Sequence, residues 1–135
     1  MSSTETRLRH LYLSFLAPAF DFSAYKTIVD VSRLRNAAAG ISGALIFDGE
    51  RFCELLDGPH AAVRALVERL ASDKRHVGLT RLHGASNPGD APLQGWSNGY
   101  CGANDLDVFM GEAGLRGEAA LAAFIAILAG SDMSD

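Results

Sequence analysis

The chain has 135 residues, with 48% hydrophobic and 21% charged content, as expected of one soluble globular domain with a real core and not of a disordered chain. Its 16 acidic and 12 basic residues leave a formal charge of −4, and no basic stripe interleaved with aromatics stands out, which argues against a nucleic-acid surface. No apolar run approaches the roughly 20 residues of a membrane span. Met1 to Thr6 is polar, so the cytoplasm is the expected location.

Residues 7–15 (RLRHLYLSF) alternate, with Leu11, Leu13 and Phe15 pointing one way and His10, Tyr12 and Ser14 the other, which marks a strand. Pro18 ends it, and Asp21 or Ser23 is a candidate N-cap for a helix. Between Ala24 and Ala38, the residues Tyr25, Ile28, Val29, Ser32 and Asn36 fall near one face, and Gly40 suits a left-handed closing residue. Strands are expected at about 41–47 and 51–57, joined by Asp48-Gly49, a hairpin signal because glycine accepts positive φ. Gly58-Pro59 opens a second helix, whose apolar stripe is Ala62, Val63, Leu66, Val67 and Leu70.

VGLTRLHGA (77–85) reads as a fourth strand, and GWSNGYC, after a turn-rich loop over 86–94, as a short fifth. From Asn104 onward the chain is expected to be helical. Leu121, Phe124, Ile125 and Leu128 form another apolar stripe, preceded by a segment interrupted at Gly111, Gly114 and Gly117. The final SDMSD, 131–135, reads as a disordered tail.

The order β-α-β-β-α-β-β suggests an α+β, ferredoxin-like sandwich with two helices on one face of the sheet. The third strand is apolar on both sides, with Phe52 and Leu56 on one and Cys53 and Leu55 on the other. The second face therefore needs a cover, either the C-terminal stripe folding back or a second subunit. The expected organisation is a domain over 1–102, a helical cap over 103–130 and the tail. Cys53 and Cys101 lie on separate expected strands with no metal-ligand spacing, and read as two small buried hydrophobes rather than a disulfide.

Glu54 is the oddity. It sits mid-strand in RFCELLD, where a buried carboxylate is costly unless it serves a site. Facing the helices, it would look into the gap between Ile28 and Asn36 on one helix and Leu70 on the other, with Tyr12 pointing into the same gap. Such a slot suits a flat ligand with a polar edge. A purely structural reading fits the same spacing: a hydrogen-bonded core tyrosine, Asn36 capping its own helix, and Glu54 paired with Arg33 or Arg35.

The pieces LYLS with Tyr12, SRLRN, GISG, RFCELLDGP and DKRH, with GWSNG a weaker one, resemble in order and spacing the BLUF family of flavin-using blue-light sensors. The likeness covers roughly residues 8–101. It implies a flavin, usually FAD and otherwise FMN, lying between the two helices. Tyr12 would be the redox-active tyrosine that donates an electron to the excited flavin. Asn36 would hold the pyrimidine edge, and Ile28 and Leu70 would pack on the ring faces. Arg33, Asp73, Arg75 and His76 would complete the cofactor-binding set, with Arg75 and His76 toward the ribityl–phosphate part. By position alone, Arg75 is equally a solvated charge favoured at a helix C-terminus.

Two departures bear on mechanism. The family has glutamine where this chain has Glu54, and commonly methionine where it has Asn98. An amide both donates and accepts, whereas an ionised carboxylate only accepts. Burial raises a carboxyl pKa, and a protonated Glu54 regains a donor. Glu54 is therefore expected to be neutral in the dark, with proton movement replacing the amide rearrangement. Asn98, two residues past Trp96 and facing the same way, would either supply the missing amide beside Glu54 or mark a decayed switch. Trp96 keeps its family position and equally suits a half-buried core aromatic.

The expected function is a flavin-binding blue-light photoreceptor module without enzymatic turnover or metal. It would signal by protein contact, as a dimer or larger homo-oligomer or with an unknown downstream protein, and without nucleic acid or membrane. The alternative is a light-insensitive interaction or flavin-binding domain lacking a normal photocycle. A third reading, acyl-phosphate hydrolysis on the same fold, needs an anion-cradling loop with an arginine, which PAFDFSA after the first strand lacks.

Overall fold

A computed structural model describes residues 6–134. In chain order they form β1 (Arg7–Leu16), α1 (Phe22–Ala39), β2 (Ser42–Phe47), β3 (Arg51–Pro59), α2 (His60–Ser72), β4 (His76–Ser86), β5 (Trp96–Tyr100), a 3-10 turn (Asp105–Phe109), α3 (Glu118–Ala129) and β6 (Asp132–Ser134). The sheet order is β4-β1-β3-β2-β5-β6. All neighbours are antiparallel except β2 and β5, which run parallel. The ferredoxin-like α+β arrangement expected from the sequence is the one found.

Local chemistry sets the boundaries. Asp21 caps α1 by accepting the Ser23 N–H at 2.9 Å, and Gly40 closes it at φ 72°, donating its own N–H to the carbonyls of Asn36 and Ala37. The β2–β3 hairpin turns at Gly49, φ 101°, where the Asp48 carboxylate accepts the N–H groups of Glu50 and Arg51 at 2.9 and 2.6 Å.

The sheet is buried on both faces. On one, Tyr25 and Val29 of α1 pack with Leu45, Phe47, Phe52 and Trp96, while Val63 and Leu66 of α2 pack with Tyr12 and Leu56. On the other, Leu11, Leu13, Ile46, Cys53 and Leu55 meet Leu106, Phe109, Leu121 and Phe124. The C-terminal segment itself thus folds back as the cover. Cys53 is buried, Cys101 is half-buried, and both are free thiols.

The tail expected to be disordered is corrected by β6. Residues 132–134 pair with β5, Gly99 opposite Met133, and Met133 packs against the second-face core. A Cβ on Gly99 would come within 2.1 Å of the Asp132 carbonyl oxygen, so β6 approaches only because Gly99 has no side chain. Asp135 lies outside the described residues, as do Met1–Glu5. Among the described residues, no helix is long and apolar enough to cross a membrane.

Candidate functional site

One register row across four strands builds the floor of the site: Tyr12 on β1 is opposite Glu54 on β3, Glu54 opposite Leu45 on β2, and Leu45 beside Asn98 on β5. Since alternate residues share a face, Trp96 lies on the same side as Asn98. α1 and α2 roof this row.

Glu54 is 3% exposed, and both its oxygens are engaged. Oε1 accepts the Tyr12 hydroxyl at 2.6 Å and Oε2 accepts the Trp96 Nε1–H at 3.0 Å. The pairing with Arg33 or Arg35 is not found: Arg33 lies 3.6 Å from Asp30, and its Nε is buried without a partner. Burial lifts the Glu54 pKa to about 7, against the downward pull of its two donors. Burial and the neighbouring carboxyl also raise Tyr12 well above the ordinary phenol range. The carboxyl is therefore poised near neutral pH while the phenol keeps its proton.

Asn36 does not cap its own helix through its side chain. The amide is 1% exposed, and neither Oδ1 nor Nδ2 has a partner. An unsatisfied buried group of this kind costs about 1–3 kcal/mol. Ser14 Oγ and both ring nitrogens of His76 are likewise buried and unpartnered, and burial depresses the His76 pKa.

These groups border two spaces between the helices. The inner one, of about 10 Å³, is lined by Tyr12, Ser14, Phe52 and His76 among others, and the outer one, of about 50 Å³, by Asn36, Arg35, Arg69 and Arg75 among others. Ile28, Leu70 and Asp73 line both. Asp73 and Arg75 form a fork at the end of α2, with contacts of 2.7–3.2 Å. The guanidinium holds the Asp73 carboxyl below its usual range.

Asn98 does not stand in for an amide at Glu54. It is 7% exposed, its Oδ1 accepts the Tyr25 hydroxyl at 3.1 Å, and its Nδ2 reaches the Ser134 carbonyl at 3.5 Å. Tyr25 and Ser14 are the residues that sequence reasoning did not single out for the site. Both share a face with residues that it did, Tyr25 with Asn36 on α1 and Ser14 with Tyr12 on β1, and that periodicity is the signal available. The Arg33 guanidinium points to Asp30 and does not line the two spaces.

A buried tyrosine bonded to a carboxyl, beneath an apolar slot edged by an orphaned amide, fits a planar ring with polar edges. The sequence profile of BLUF, "Sensors of blue-light using FAD", matches residues 8–91. The chain belongs to the BLUF family. The blue light- and temperature-regulated antirepressor BluF of Escherichia coli (strain K12) is 26% identical over 72 residues, which is 53% of this chain and 18% of BluF. This BLUF chain thus matches less than a fifth of that relative's length. Among solved structures, BlsA in its ground state superimposes with a TM-score of 0.73 at 21% identity, covering 96% of this chain and 91% of BlsA. BlrB, a BLUF protein in its dark state, does so with 0.71 at 22%, covering 95% and 98%. At such identities these two likenesses concern the fold.

Proposed function

We propose that this BLUF domain is a blue-light switch in which the proton of Glu54 takes the role that an amide has in its relatives. The observation that carries this reading is the buried carboxyl bonded to both Tyr12 and Trp96 under the unpartnered Asn36 amide. The residues present fit a flavin. Asn36 would offer a donor and an acceptor to the pyrimidine edge, Ile28 and Leu70 would flank the ring, and Asp73, Arg75 and His76 would serve the ribityl part, with Arg33 on the same helix as Asn36. The two spaces are far below the roughly 300–1,000 Å³ of a ligand pocket, so Ile28 and Leu70, which line both, would have to move apart to admit a ring.

A bound flavin, FAD or FMN, supplies the light-absorbing, electron-accepting ring. Tyr12 would be the electron donor to it, and Glu54, which accepts the Tyr12 hydroxyl, would govern its proton. While Glu54 is ionised, Oε1 can only accept from the phenol; once protonated, it can donate in return, and the Tyr12–Glu54 bond then has two directions. Reversing that bond changes what Glu54 offers to the slot and to Trp96. Trp96 and Asn98 share β5, and Asn98 bonds β6, so the change reaches the C-terminal cover. Output is contact with a second copy or a downstream protein, without turnover of a substrate, in the cytoplasm.

A second reading is a flavin-binding or interaction domain without a normal photocycle. It is favoured by Asn98, whose amide is committed to Tyr25 and Ser134 rather than to Glu54. The absorption spectrum in the dark and under blue light tests both. A flavin band with a small reversible red shift supports the switch. A flavin band without it supports the second reading, and failure to bind supplied flavin refutes the switch.

A further inference from the structure

The two faces of the sheet carry opposite charge. On the helix side, α1 and α2 hold five basic residues and two acidic ones. On the other side, residues 105–118 hold four acidic residues and one basic, and Leu106 and Phe109 pack that segment onto the sheet. The chain is thus polarised across its own sheet, whatever its net charge of −4.

Each side also leaves apolar groups in water. Between α1 and α2 lies a cleft of about 390 Å³, with Arg35 and Arg69 on opposite walls and alanines too short to fill it. Arg35 and Arg69 are exposed and have no ion pair among the described residues, whereas Arg33 lies by Asp30 and Arg64 by Glu68. Leu34, 76% exposed, shares a face of α1 with Val31, Arg35 and Ala38 by helical spacing, and Ala38 lines the cleft.

The acidic segment presents the counterpart. Val108, Met110 and Leu115 are exposed there. The Leu115 N–H donates to the Val108 carbonyl at 2.9 Å, and the Met110 N–H to that of Asp107 at 3.0 Å, which gathers the three in one loop. Arg116 braces the loop by donating to the Phe109 carbonyl at 2.9 Å. Glu112, within it, is exposed and has no ion pair among the described residues.

We propose that the acidic loop of one copy seats on the basic cleft of another, head to tail. Val108, Met110 and Leu115 meet the alanines and Leu34, and Glu112 meets Arg35 and Arg69. A second copy is the occupant because this chain carries both complementary halves. They lie on opposite faces of the sheet, so no copy fills its own cleft. Two copies leave one half of each kind unused, and association continues into a ring or a filament. Its service as the output of the switch rests on the reading above; the contact itself needs neither light nor flavin.

The test is sedimentation velocity in the dark, without flavin, over a range of concentrations at low and raised salt. The wild type is expected to grow beyond a dimer with concentration, and salt to weaken that growth. Arg35→Gln/Arg69→Gln alters the cleft, and Met110→Lys/Glu112→Lys alters the loop. Each is expected to weaken association by roughly tenfold, the cleft by losing its charges and the loop by turning attraction into repulsion. Both change exposed side chains only, and circular dichroism checks that they fold. Mixed together, the two variants are expected to form pairs and nothing larger, because each keeps one intact half. A wild type that stays monomeric, growth indifferent to salt, or a variant that associates like the wild type overturns the proposal. So does a mixture that fails to pair, which would mark a contact between like surfaces. The absorption spectrum decides the light switch separately, so either reading can fail alone.

Discussion

Replacing Glu54 by glutamine removes a titrating group whose folded pKa is raised from 4.5 to about 7 by burial. Between those values the folded chain holds a proton that the unfolded chain has lost, so stability falls as pH rises. The contribution is fully present below the unfolded value and gone above about pH 7. A shift of this size corresponds to about 3 kcal/mol. The wild-type profile alone cannot display it, because His10 opposes it in the same window. Burial, and then the charge of Arg81, lowers the His10 pKa from 6.5 to about 4, so that its contribution grows as pH rises. The difference between wild type and Glu54→Gln cancels His10 and isolates the carboxyl. Urea unfolding of flavin-free protein, from about pH 4 to about pH 8, should show the wild type losing about 3 kcal/mol relative to the variant. A difference constant to within about 0.5 kcal/mol across that range would refute the poised carboxyl.

Asn36→Leu should leave flavin-free stability equal or raise it by up to about 3 kcal/mol, since an unpartnered buried amide disappears, while flavin affinity drops. Urea unfolding and flavin titration together check it, and a destabilised variant with unchanged affinity contradicts the ligand role. Trp96→Phe removes a donor that pulls the Glu54 pKa down, so the pH midpoint attributed to Glu54 should move upward; a midpoint that stays put or falls refutes this. Asp57→Ala strands Arg9, which is bonded to it at 2.6 Å with both groups buried. The expected loss in urea unfolding is about 3–5 kcal/mol, and a loss below about 1 kcal/mol would mean water reaches the guanidinium.

Much of this architecture was legible because its signals are local. Asp21, Gly40 and Asp48-Gly49 act within a few residues of themselves, and each does so in the structure as its side chain or φ requires. Alternation alone turns Glu54 toward the helices, since register is a matter of parity once a strand is recognised. What decided its partners was not local. Arg33 and Arg35 were candidates on helix position, but Trp96, 42 residues away, reaches Glu54 because β5 pairs with β2 in parallel. Asn98 turned to Tyr25 for the same kind of reason, across a separation of 73 residues. The polar composition of SDMSD carries no strand signal. Its pairing depends on the bare Cα of Gly99, which is visible only after β5 is in place.

β6 also bears on which further strands the sheet can accept. A sheet that ended at β5 would offer an unpaired row of N–H and C=O groups beside the exposed ring of Tyr100, which is a template for adding foreign strands. At the opposite border, the pairing of β4 with β1 slips between Leu11 and Tyr12 and again between Leu13 and Phe15, which makes that border a poor match for a straight strand. One border is guarded by irregularity and the other by three residues laid over it. Removing residues 131–135 would therefore change the company the sheet keeps before it changed the core, with self-association by edge pairing as the consequence.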